Sequence, residues 1–181
     1  DSLKNFFGSI VLLADKPFGL GDRIAAGDLD GVVEMVGLRS TRLRTLDGEL
    51  VTVPNGDLAT RAIRNYGRRL FIRSQSVIGI TYDTPPERVE LAIAILRELL
   101  AQHEGFNPER PPRVHFRDYG PYSLNLQVIY WYHPGDWWAY LDYHHRLNLE
   151  ILKRFAQAGI QFAFPTQTVY LAAEPKEDPR S

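Results

Sequence analysis

The stretch Gly37-Leu38-Arg39-Ser40-Thr41-Arg42-Leu43-Arg44-Thr45-Leu46-Asp47-Gly48-Glu49-Leu50-Val51-Thr52-Val53-Pro54-Asn55-Gly56 decides how this chain is read. It predicts a β-hairpin followed by a stop. Thr41, Leu43 and Thr45 on one arm and Leu50, Val51 and Val53 on the other are strand formers, and Asp47-Gly48 supplies the positive φ values of a tight two-residue turn. Pro54 removes a ladder donor and ends the second arm. Asn55-Gly56 is expected to continue as a turn, with Gly56 in a left-handed conformation.

Upstream, Pro17 to Asn65 shows short strands, Gly31 to Val36 among them, punctuated at Gly19-Leu20-Gly21, Gly27-Asp28-Leu29-Asp30-Gly31 and the two turns above. That spacing predicts a small all-β barrel or sandwich. Before it, Leu3, Phe6, Phe7, Ile10, Val11 and Ala14 recur at three- and four-residue intervals, as in an amphipathic helix ending before Pro17. A dozen residues of helix do not hold together alone in water, so this stripe needs a partner chain, a membrane-proximal surface or its own domain.

Downstream, Tyr66-Gly67-Arg68-Arg69 forms a basic linker. Leu70 to Tyr82 reads as a strand. Thr84-Pro85-Pro86-Glu87 has the form of a capping box opening a helix that carries Val89, Ile93, Leu96 and Leu100 on one face. Arg113 to Tyr119 and Leu124 to Tyr132 are strands, the second with clean alternation. Asp136 is placed to cap a helix bearing Tyr140, His144, Leu147, Ile151 and Phe155, closed by Gly159 as its left-handed terminus. A last strand is expected over Gln161 to Phe164. The order βαββαβ is the ferredoxin-like arrangement, with two helices on one face of an antiparallel sheet. Thr166 to Ala173 is a further strand-like run without a partner in that sheet, and such an edge needs cover. The fold class is therefore α+β: a helix over 1–15, a β domain over 16–66, a ferredoxin-like domain over 67–165, a terminal strand over 166–173 and a disordered tail over 174–181.

Composition narrows the chemistry. The 181 residues carry a formal net charge of −1, which argues against nucleic acid as partner of the whole molecule. Locally, between Leu38 and Arg73, eight arginines face three acidic residues. Arg39, Arg42, Arg44, Arg61 and Arg64 suit RNA phosphates, the headgroups of a nearby membrane, where a basic side chain contributes roughly 1 kcal/mol, or the acids of a neighbouring subunit. Cysteine is absent, which removes disulfide, thiol and thiolate-metal chemistry. His144-His145 point about 100° apart on a helix and share no ion, and Asp28-x-Asp30-Gly31 has Val32 and Met35 where a calcium loop needs oxygens. Ser74, Ser76 and Ser123 lack a nucleophile context. Neither enzyme activity, metal nor cofactor is expected. The aromatic cluster Trp131, Trp137, Trp138, Tyr140 and Tyr143 could stack on bases or sugars, but packing of the second helix on the sheet, plus an interface, is the favoured expectation. No run approaches the roughly 20 apolar residues of a bilayer span. The chain starts at Asp1 without Met, as a piece of a longer protein does.

Arg44 to Asp57, preceded by Lys16-Pro17-Phe18-x-x-Gly21-Asp22 and followed by Ile63-x-Asn65-Tyr66, resembles the small-conductance mechanosensitive channel (MscS) family. The likeness extends from Ser2 to Ala173. It implies that Ser2 to Leu13 is the end of the pore-lining helix, with Leu3, Asn5, Phe6, Phe7 and Ile10 docking it. Asp47, Gly48, Pro54, Asn55 and Gly56 shape the β-domain loop, and Thr168, Val169, Tyr170 and Leu171 belong to a strand that closes a barrel between copies. The implied assembly is a homo-heptamer at the inner (plasma) membrane, this region facing the cytoplasm. The implied function is the vestibule of a channel that opens under membrane tension in hypo-osmotic shock and passes ions and small solutes. An Sm-like RNA-binding ring and a ligand-sensing ferredoxin-like module are the alternatives, the first marked by steep salt dependence and the second by a thermal shift with small molecules.

Overall fold

The computed structural model describes residues 2–167 and 169. The elements are α1 (Ser2–Asp15), β1 (Arg23–Ala26), β2 (Leu29–Val36), β3 (Ser40–Thr45), β4 (Leu50–Pro54), α2 (Asn55–Ala59), β5 (Arg64–Asn65), β6 (Ile72–Ile80), α3 (Pro86–Leu100), β7 (Arg113–Tyr119), β8 (Leu124–Tyr132) and α4 (Trp137–Gln157). They form two compact units. The first comprises the residues up to Ile72 together with His133–Trp137; the second comprises Arg73–Tyr132 and the described residues from Trp138 onward.

In the first unit an antiparallel sheet runs β4-β3-β2-β1-β5. Strand alternation turns Ile24, Ala26, Val33, Leu43 and Val53 inward, where they meet Leu12 of α1, Phe18 and Leu58 of α2 in one core. The β3–β4 turn differs from the two-residue form. Its loop runs from Leu46 to Glu49, the Gly48 amide donates to the Thr45 carbonyl at 3.0 Å, and only Gly48 takes positive φ, at 88°. A type I turn with a left-handed glycine after it fits this geometry. Asn55-Gly56 is not a turn. Pro54, at φ −58°, ends β4 and leads directly into α2, so Gly56 is helical and buried rather than left-handed.

The second unit has a sheet in the order β6-β8-β7, and the expected fourth strand shrinks to a single antiparallel bridge between Ile80 and Phe162. In β8, Leu124, Leu126, Val128, Tyr130 and Tyr132 are buried in strict alternation. Against them lie Val89, Ile93, Leu96 and Leu100 of α3 and Tyr140, Tyr143, Leu147, Ile151 and Phe155 of α4. The Thr84 capping box is not formed. Pro85 occupies the cap position without a side-chain bond, and the Thr84 hydroxyl lies 3.2 Å from that of Thr81 instead. Gly159 takes φ +66°, the left-handed terminus expected of it. Most of the expected strand over 166–173, including Thr168, Tyr170 and Leu171, and the whole of 174–181 lie outside the described residues; Val169 is exposed.

Candidate functional site

α1 meets the β sheet at a junction built of buried hydrogen bonds and close backbone contact. Its centre is Asn55, 1% exposed. The Asn55 amide group donates to Ser9 Oγ at 3.0 Å and to the Gly37 carbonyl at 2.8 Å, while its Oδ1 accepts from the buried Thr41 hydroxyl at 2.8 Å. Its backbone amide donates to the Arg39 carbonyl at 2.9 Å, and Ser9 in turn donates to the Leu38 carbonyl. Next to this network, Gly8 abuts Gly56. A Cβ on Gly8 would stand 2.6 Å from Gly56 Cα and 2.7 Å from its nitrogen, both backbone atoms that cannot swing aside. Two glycines thus allow α1 and α2 to touch backbone to backbone.

The exit of α1 is held by a second set of bonds. Lys16 takes φ 45° and donates its amide to Leu12 O at 3.0 Å, ending the helix. Asn65 donates to the Pro17 carbonyl at 2.9 Å and to Asp22 Oδ2 at 2.8 Å, and Arg68 donates to the Lys16 carbonyl at 2.8 Å. Asp22 also accepts from the Gly19 amide at 2.9 Å and faces Arg68 at 3.2 Å. The Asn65 hydrogen bond, then the Gly19 amide and Arg68, hold its carboxyl below the usual range. Asp22, Asn65 and the Lys16-Pro17 pair are therefore one constellation, although 43 residues separate the two side chains.

Within one copy these contacts set which face of α1 meets the sheet. Among the described side chains of α1, Gly8, Ser9 and Leu12 are buried, whereas Leu3, Phe6, Phe7 and Ile10 are exposed, Phe6 and Phe7 at 58% each. The described part of the chain says nothing of the Asn5 side chain. The Leu3-Phe6-Phe7-Ile10 stripe thus points away from the protomer's own β sheet, and the helix docks through the small residues Gly8 and Ser9 together with Leu12, which enters the core. Spacing could not reveal this, because small residues that permit close approach carry no hydrophobic signal; the recurrence of glycine at Gly8 and Gly56 was the available clue.

The basic residues divide. Arg42 and Arg44 lie on β3 and Arg64 on β5, with β2 and β1 between them in the sheet. Arg44 is held bidentate by Glu34 at 2.8 and 3.1 Å and also donates to Gly48 O. Arg61 reaches the Ala26 carbonyl at 3.5 Å. Arg39, Arg42 and Arg64 are exposed. His144 Nδ1 lies 2.8 Å from the Tyr130 hydroxyl, and burial lowers its pKa. Among the described residues, no helix is long and apolar enough to cross a membrane and no cluster of three metal-ligating side chains occurs.

Two family models match in succession: the mechanosensitive ion channel β-domain over residues 1–68, and the mechanosensitive ion channel MscS C-terminal domain over 76–162. The chain belongs to the MscS family. It is 44% identical to the small-conductance mechanosensitive channel MscMJ of Methanocaldococcus jannaschii over 94% of its length and 48% of the relative's. It is 31% identical to the low conductance mechanosensitive channel YnaI of Escherichia coli, covering 94% of itself and 50% of YnaI. The chain therefore spans about half the length of these curated relatives. Among solved structures, closed-state Helicobacter pylori MscS superposes with a TM-score of 0.79 at 25% identity, over 96% of this chain and 67% of that one. Arabidopsis thaliana MSL1 shares the fold, with a TM-score of 0.82 at 21% identity over 91% and 60% of the two chains. Residues from separate stretches of the chain meet at this junction: Lys16-Pro17, Asp22, Asn55, Gly56 and Asn65 all take part in it.

Proposed function

We propose that this chain is the vestibule region of a tension-gated MscS-type channel, facing the cytoplasm beneath a pore built by segments outside these residues, and that seven copies close the ring. The observation that carries the proposal is the mode of α1 docking. One side of the helix is fixed to the β sheet by Gly8, Ser9 and Leu12, while Leu3, Phe6, Phe7 and Ile10 are presented outward. A helix held firmly on one side and apolar on the other transmits displacement between whatever covers that stripe and the sheet beneath it. In a ring, the stripe is covered by the neighbouring copy and the membrane-proximal protein. The exposed arginines Arg39, Arg42 and Arg64 then face headgroups or neighbouring acids, and Thr168 to Leu171 supply the strand that closes the base. Family membership favours this reading over an RNA-binding ring or a free-standing sensor.

The test is patch-clamp recording under stepped suction from spheroplasts expressing the full-length protein, paired with survival of hypo-osmotic downshock. Tension-activated current that shifts its threshold in Gly8→Ala supports the reading. A full-length protein that reaches the membrane but passes no current at lytic tension overturns it.

A further inference from the structure

Outside the junction, the second unit holds a pocket of about 430 Å³ at the end of the β7–β8 hairpin beside α3. Cavities of this size commonly hold small ligands. Its composition is selective. Three rings line it: Tyr82, whose hydroxyl donates to the Gly120 carbonyl of the hairpin turn, and Phe116 with Tyr119, whose centroids are 5.0 Å apart at 78°. Val89 and Leu124, both buried, form its apolar floor, and Thr84 and Pro86 at the start of α3 complete the lining with Glu90. The one charged side chain in the lining is Glu90, which is exposed and has no cationic partner among the described residues. All of these belong to one compact unit.

Aromatic faces offer negative quadrupole potential, and a carboxylate beside them adds full negative charge; together they favour a cation whose own surface is apolar. A compact, strongly hydrated ion finds too few oxygens here to replace its water, and a neutral apolar molecule leaves Glu90 unused. The geometry points to a site for a small alkylated ammonium ion, with the quaternary nitrogen among the Tyr82, Phe116 and Tyr119 rings and Glu90 as counter-charge. This site is additional to the channel reading and does not depend on it. The other candidate occupant is an apolar side chain from a second copy, which would fill the same rings without needing Glu90.

The test is isothermal titration calorimetry of the 181-residue chain with tetramethylammonium chloride at constant ionic strength, with tert-butanol as the neutral probe of similar shape. Saturable binding in the millimolar range is expected for tetramethylammonium, weakened about fivefold in Glu90→Gln and in Tyr119→Leu, with tert-butanol about tenfold weaker. Circular dichroism confirms that both variants fold, and since both side chains lie at the surface, their folding is expected to be intact. Equal affinity for the neutral probe, undiminished binding in Glu90→Gln, or absence of saturation overturns the proposal. So does sedimentation showing that binding disappears as the protein self-associates while Glu90→Gln associates like the parent, because that outcome assigns the pocket to a second copy.

Discussion

Asn55 does the work of four backbone and side-chain partners from one buried position. Replacing it with alanine leaves the buried Thr41 hydroxyl and Ser9, and the half-buried Gly37 carbonyl, without their present partner. Each unsatisfied buried group costs about 1–3 kcal/mol, so Asn55→Ala is expected to lower the unfolding free energy by about 2–4 kcal/mol. Urea denaturation followed by circular dichroism measures it, and a change below about 1 kcal/mol would remove Asn55 from the centre of the junction. A second residue-scale expectation concerns acid. Burial lowers the pKa of His144 below its ordinary 6.5, and its neighbours Tyr130 and Tyr140 are not acids. The folded state therefore binds fewer protons than the unfolded chain. The stability contributed by neutral His144 is complete above pH 6.5 and falls as pH drops through the lower folded value. The carboxyls of Asp22 and Asp30, held low by hydrogen bonds from Asn65 and Arg23, contribute stability present above their ordinary 3.8 and lost only at more acid pH. Unfolding midpoints between pH 7 and 5 are expected to fall for the parent and to flatten in His144→Gln.

At the scale of elements, α1 has two faces with opposite roles. Leu12→Ala empties a site in the core shared with Phe18 and Leu58 and is expected to cost about 2–4 kcal/mol. The double change Phe6→Ser with Phe7→Ser touches side chains that are already exposed, and is expected to move the stability of a single copy by less than about 0.5 kcal/mol while reducing assembly, read by light scattering. If the two variants behave alike, the division of faces is wrong. This contrast also shows what periodicity can convey. Three- and four-residue spacing locates α1 and its apolar stripe, but the stripe is outward, since Gly8 and Ser9 leave no trace in hydropathy and Leu12 is a single apolar anchor on the docking face. β8 is legible to the residue, because its alternation and the flanking Gly120-Pro121 and Pro134-Gly135 leave no rival period, and β7 is fixed by the same Gly120-Pro121 turn. α2 was not legible: Pro54-Asn55-Gly56 has the composition of a turn, and the helix exists because Asn55, Gly56 and Leu58 are buried against α1 and the core. The last strand is shorter than its composition implies: Gln161 to Phe164 has strand composition yet makes a single bridge at Phe162.

For the whole molecule, the fold class and the channel reading rested on an ordered set of motifs whose meaning emerges only in three dimensions. Lys16-Pro17, Asp22 and Asn65 looked like separate marks along the chain, and they are one bonded group. The first unit is also discontinuous. His133–Trp137 belongs to it, with Arg69 donating to the Gly135 carbonyl at 3.2 and 3.3 Å, its guanidinium 5.7 Å from the Trp137 ring, and Phe71 5.4 Å from His133. Even a Cβ on Gly135 would fall 2.2 Å from the Arg69 carbonyl oxygen. Gene order and architecture therefore disagree. Anyone exchanging the front half of this protein for a relative's must carry a five-residue coda from far downstream, or the transplanted piece arrives with its Arg69 corner unfinished.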